Sequence, residues 1–186
     1  MYNRINLLRP LLDQLLSQQE RVIVAIDGPC TSGKTTLAAA LEKEYDCNLF
    51  HMDDFFLRPE QRTPQRLAEA GGNVDYERFL ADVLLPLQQG TPFSYQPFHC
   101  KTQELLPPVA VTPKPLTIIE GSYSLHPSFG NPYHLRVLLT VDPDIQRQRI
   151  LDRPSFLHQR FFDQWIPMEN RYLEVFQISQ QCDIIL

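Results

Sequence analysis

A chain of 186 residues with 43% hydrophobic and 21% charged side chains has the composition of one globular domain, long enough to bury roughly 70% of its unfolded surface. Its formal charge of -5 gives no general attraction to nucleic acid or to an anionic membrane, so small-molecule partners are the better expectation. Cys30, Cys47, Cys100 and Cys182 are widely spaced with no CxxC pair, which argues against both a disulfide framework and a zinc site.

Residues 1–20 repeat apolar side chains at helical spacing (Ile5, Leu8, Leu11, Leu12, Leu15 and Leu16), with Arg9, Pro10 and Asp13 as interruptions. The stretch is too short and too polar for a signal peptide or a membrane span. No later segment comes closer, so a soluble, cytoplasmic protein with no membrane partner is expected. The apolar run VIVAI (22–26) then reads as a strand buried on both faces.

DGPCTSGKTT (27–36) follows, and after it the helical pattern of TTLAAALEKEY. Strand, glycine loop and helix are the context in which GxxxxGK[ST] grips phosphates. Gly28 and Gly33 allow the backbone to turn and approach a phosphate, with Pro29, Cys30, Thr31, Ser32 and Thr36 completing the cradle. Lys34 adds a point charge beside the β and γ phosphates. Thr35 offers a hydroxyl to Mg²⁺, and the helix N-terminus favours negative charge.

A second strand, NLFHM (48–52), runs into the segment FHMDDFFLR (50–58). Only one of the adjacent carboxylates Asp53 and Asp54 is expected to face the cleft, where it can accept the proton of an attacking hydroxyl. An acceptor carrying its own phosphate would be repelled there, so a neutral alcohol is favoured. Phe55 and Phe56 either wall a substrate or belong to the core.

A helix over 76–88 precedes a proline- and aromatic-rich stretch at 91–115, which reads as a hairpin or irregular flap inserted before the strand LTIIE (116–120). Glu120 closes that strand beside the phosphates, within reach of the Mg²⁺ shell or its water. After the strand LRVLLTV (135–141) comes an arginine segment, 144–158. Arg149 and Arg153 share a helical face and can close over a transferring phosphoryl group, and Arg147 is a weaker candidate. A helix over 160–180 and a last strand CDIIL (182–186) end the alternation, which implies about five parallel strands wound on both faces by right-handed crossovers. Ligands are expected at their carboxyl ends.

GPCTSGKTT, MDDFF, IIEGSY and DPDIQRQRILDR, in this order, resemble the uridine kinase and phosphoribulokinase group of P-loop kinases, over most of 22–186. The resemblance implies a three-layer α/β P-loop NTPase fold, with a five-stranded parallel sheet in the order 2-3-1-4-5. It implies ATP with Mg²⁺ as donor and a small-molecule hydroxyl, such as that of a nucleoside, as acceptor. It makes Asp53 the catalytic base and a helper in holding Mg²⁺ with Thr35 and Glu120. GGNVDYERF (71–79), with Tyr76, resembles the segment bordering the acceptor pocket. The flap, with Tyr95 and His99, resembles the hairpin that covers a nucleoside.

A single domain over 1–186 and a uridine kinase-like phosphotransferase are therefore expected, and a homo-oligomer stays open. Two other readings remain at this stage: a nucleoside monophosphate kinase, which the Asp pair disfavours, and a nucleotide-hydrolysing switch. The absence of an [NT]KxD sequence counts against a guanine-specific switch.

Overall fold

The computed structural model describes residues 2–154 and 157–186. Positions 155 and 156, within the arginine segment, lie outside the described residues.

Helix α1 (Tyr2–Gln18) runs unbroken through Pro10, whose ring stands on the exposed side. Its inner face is the row Ile5, Leu8 and Leu12. The chain then enters β1 (Val22–Asp27), buried along its whole length. Helix α2 (Lys34–Glu42) leads to β2 (Cys47–His51). A 3-10 turn, Met52–Phe55, carries the two aspartates.

Helix α3 (76–89) contains a wide π turn at Leu80–Leu84, two residues before Pro86. The later helix α5 (158–175) repeats the feature, with a π turn at Phe161–Trp165 two residues before Pro167. One physical cause serves both. A proline inside a helix lacks an N–H and presses its ring on the carbonyl four residues back, and a wider turn moves that carbonyl aside.

The flap is two short antiparallel ladders in series. β3 (Phe93–Tyr95) pairs with β6 (Val109–Val111), and beyond them β4 (Phe98–His99) pairs with β5 (Glu104–Leu105). Between the ladders stand Pro97, Pro107 and Pro108, which cannot donate to a strand partner. The gap is bridged by Leu106 N–H to the Pro97 carbonyl at 2.8 Å and by the Gln96 side chain to the Leu106 carbonyl at 3.0 Å.

β7 (Leu116–Glu120) is buried throughout. β8 (Leu135–Leu138), α4 (Pro143–Leu151), α5, α6 (Ile178–Gln181) and β9 (Ile184–Ile185) follow. The five sheet strands lie in the order β2-β7-β1-β8-β9, all parallel, which in chain order of those five is 2-3-1-4-5 as the resemblance implies. Side chains alternate between two cores. Val22, Val24 and Ile26 pack with α1 and α2, through residues such as Leu8 and Leu37. Ile23 and Ala25 face α3, α5 and α6, through Phe79, Tyr172 and Ile178. The register of β1 with β7 sets Ile26 beside Glu120, and that of β2 with β7 sets His51 beside Glu120. The carboxyl ends of three strands thus converge where the glycine loop begins.

Candidate active site

The loop after β1 is shaped by three left-handed residues: Gly28 (φ 142), Thr31 (φ 61) and Gly33 (φ 98). Any side chain at Gly28 would place its Cβ 2.2 Å from the Leu139 carbonyl oxygen, so glycine is required by space as well as by backbone angle. Lys34 opens α2 and is almost buried. Its Nζ donates to the carbonyls of Gly28 (2.8 Å) and Pro29 (2.9 Å) and lies 3.4 Å from the Ser122 hydroxyl.

Thr35 meets Glu120 directly. Its hydroxyl donates to Glu120 Oε1 at 3.1 Å, and His51 Nδ1 stands 2.6 Å from the same oxygen. That bond to Glu120 is the main cause raising the His51 pKa. Among the described residues no cluster of three or more His, Cys, Asp or Glu side chains is arranged to hold a metal alone. Mg²⁺ does not need one, since it keeps several waters and takes one or two carboxylates together with phosphate oxygens. The hydroxyl of Thr35 and the carboxylate of Glu120, hard oxygen donors at the mouth of the phosphate loop, fit that ion.

The two aspartates of the 3-10 turn have different neighbours. Burial by the cleft walls raises the Asp53 pKa, the Glu120 charge raises it further, and the charges of Lys34 and His51 oppose both. Water reaches Asp53 from the open side, which limits the first effect. Asp54 is also raised by burial, with His51 and Arg78 as the opposing charges. Asp53 is therefore the member of the pair that shares its field with Lys34.

Several residues expected near the acceptor have partners within the fold. Phe55 is fully buried, stacked on Tyr95 with ring centroids 5.5 Å apart and edge-on to Phe79 at 4.8 Å. Tyr95 is likewise a core residue, tilted on Phe50 at 5.5 Å. Both rings cement the flap to the turn that carries Asp53, because the apolar residues of β3 and of that turn share one core. Tyr76 stacks on His126 (4.4 Å), with the Arg66 guanidinium 3.7 Å above its ring, so both faces are occupied. Phe56 is half-buried against the same core. His99 is half-buried and bonds within its own turn, Nδ1 lying 3.0 Å from the Thr102 hydroxyl.

The arginines also divide. Arg149 donates to the Thr31 carbonyl at 2.8 Å, so it sits on the glycine loop. Arg153 lies over the Phe161 ring, 6.0 Å from its centroid, and Arg147 lies over Phe162 at 4.9 Å.

Five further residues, Asp27, Tyr123, Tyr172, Glu169 and Gln146, shape the site. Asp27, wholly buried at the end of β1, accepts from the N–H groups of Gly28 (2.6 Å), Tyr123 (3.2 Å) and Leu125 (2.9 Å) and from the Tyr172 hydroxyl (2.7 Å). Burial pushes its pKa up while those donors hold it down. Tyr123 takes a positive φ of 75° to present its N–H. Glu169 of α5 accepts from Cys30 N–H (2.8 Å) and from the Ser122 hydroxyl (2.7 Å). Gln146 of α4 grips the next peptide group, on the other side of the same residue, donating to the Cys30 carbonyl at 3.0 Å. An acid closing an apolar strand was the visible signal for Asp27; nothing local marks Glu169 or Tyr172.

No protein-family model matches the chain, and no curated protein matches its sequence. Solved structures do share the fold over nearly its whole length. A possible uridine kinase from Bacillus stearothermophilus is 21% identical, with 96% of this chain and 98% of that one covered and a TM-score of 0.71. A candidate fructose transport system kinase from Silicibacter sp. TM1040 is also 21% identical, with 98% of each chain covered and a TM-score of 0.67. At that identity the likeness shows a common P-loop fold.

Proposed function

We propose that the protein is a kinase that transfers the γ-phosphoryl group of ATP to a hydroxyl of a small molecule, a nucleoside or similar metabolite. The observation that carries this reading is the position of Asp53: a water-accessible carboxylate after β2, in the field of Lys34 and beside the Thr35–Glu120 pair. A switch needs the phosphate loop and the metal ligands; it has no use for an additional open acid on the acceptor side. Two proteins of the same fold carry kinase descriptions, which agrees with this reading.

In the reaction, the backbone N–H groups after Gly28 and the freed Lys34 ammonium hold the β and γ phosphates. Thr35 and Glu120 would hold Mg²⁺, which when bound supplies positive charge against the phosphate oxygens. Asp53 takes the acceptor's hydroxyl proton as its oxygen bonds to the γ-phosphorus. The bond to the β–γ bridging oxygen breaks, and ADP leaves with that electron pair. The raised pKa of Asp53 brings the base nearer to neutrality, where a proton acceptor works best. Arg149, already on the glycine loop, is the lid arginine best placed to approach the transferring group.

The test is ADP release from Mg-ATP in the presence of a panel of nucleosides, nucleotides, vitamins and sugar acids. Stimulation by a neutral alcohol supports the kinase. Hydrolysis indifferent to every compound overturns it in favour of a switch.

A further inference from the structure

The two ends of a nucleotide held on the glycine loop would meet different surroundings, set by the strand order. Asp53 follows β2 and Glu120 closes β7, both on one side of β1, and on the donor-site reading the γ end of a triphosphate on the glycine loop would point there. The nucleoside end must leave on the other side of β1, over the carboxyl ends of β8 and β9. One side chain spans that region. Arg4, from the first turn of α1, donates through one terminal nitrogen to the Ser32 carbonyl at 2.8 Å. Through the other it donates to the carbonyls of Thr140, beyond β8, at 3.2 Å and of Leu186, beyond β9, at 3.3 Å. Its guanidinium stands 3.6 Å from where a Cβ on Gly33 would lie, hence directly beside the start of α2.

We infer that Arg4 forms the base-side wall of the nucleotide site, its guanidinium plane stacking on the purine ring while its edges hold the three carbonyls. Both halves of the role suit arginine and neither suits lysine. The planar fork of N–H donors is fixed in place by oxygens at its edges, and the flat face of a weakly hydrated cation is a partner for an aromatic ring. An arginine in the first turn of an amphipathic helix would otherwise be spent on solvent. Here it ties the N-terminal helix to the glycine loop and to two strand ends at once. This inference rests on the donor-site reading of the glycine loop.

The experiment compares Mg-ATP with Mg-tripolyphosphate, which carries the phosphates and no base, on the full chain by calorimetry. Arg4→Lys keeps the charge and removes the plane. The expected result is a loss of roughly 5- to 30-fold in affinity for ATP, the size of a partly desolvated cation–π contact, with tripolyphosphate binding within about twofold of the parent protein. Unchanged ATP affinity in Arg4→Lys overturns the proposal. So does an equal loss for both ligands, which would make Arg4 a brace for the loop through Ser32. If the parent protein binds neither compound, the donor-site reading itself fails, and a result of that kind is distinct from either of the others.

Discussion

At the scale of single residues, Asp53 and His126 are the two whose chemistry can be read out most directly. Asp53→Asn removes the proton acceptor and leaves the phosphate contacts in place. Turnover should fall by about 10²- to 10⁴-fold while the Kd for Mg-ATP stays within a few-fold, measured by coupled ADP release and by calorimetry. Full turnover in that variant would refute the base assignment. His126 is buried, stacked between Tyr76 and Tyr172, and its Nδ1 accepts the Ser128 N–H at 3.2 Å, which requires a neutral ring. Burial is the chief cause lowering its pKa to about 4. The unfolded histidine, with a pKa near 6.5, binds a proton that the folded one refuses, so stability is lost as pH falls from 6.5 toward 4. The loss amounts to about 3 kcal/mol at most. His126→Asn, which keeps a side-chain acceptor for Ser128, should flatten the dependence of urea-unfolding free energy on pH across that window. An unchanged slope would show that other groups carry it.

At the scale of elements, the legible and the illegible parts of the sequence separate cleanly. VIVAI, LTIIE and LRVLL announce buried strands because each is a short apolar run bounded by loop residues, and the glycine loop announces itself by spacing. The prolines of 91–115 likewise mark an interrupted hairpin. What local pattern does not carry is which aromatic residues leave the cleft for the core. Phe55 and Tyr95 lie 40 positions apart and are core because each completes the other's burial. The same holds for Asp27 with Tyr172 and Cys30 with Glu169, pairs that only the sheet order brings together. The π turns before Pro86 and Pro167 were also invisible, since a proline signals a break and not how a helix absorbs it. The flap offers a measurable consequence. β4 and β5 contribute only two residues each and are cut off by prolines from β3 and β6. Amides in 98–105 should exchange at least about 100-fold faster than those of β1 and β7, by hydrogen exchange with mass spectrometry. Equal protection would mean that the two ladders act as one rigid hairpin.

At the scale of the whole molecule, no helix among the described residues is long and apolar enough to cross a membrane, and the sheet's carboxyl edge brings Lys34, Thr35, His51 and Glu120 together. A ligand bound at that edge touches the ends of β1, β2 and β7 together and stabilises them as a unit. Mg-ATP at 100 times its Kd should add about 2.7 kcal/mol, a rise in Tm of about 5–10 °C for a chain of this size. Lys34→Ala should abolish most of that rise in a thermal-shift measurement, and a full shift in the variant would count against the phosphate role of Lys34. Gln146 and Glu169 have a mechanical consequence of their own. They hold the carbonyl and the N–H of Cys30, and Arg149, between them in sequence, adds a third hold on the Thr31 carbonyl. Helices α4 and α5 are therefore anchored on the glycine loop at neighbouring points. Any movement that carries α4 or α5 away from the loop has to break one of these bonds, and so disturbs the backbone between Gly28 and Gly33.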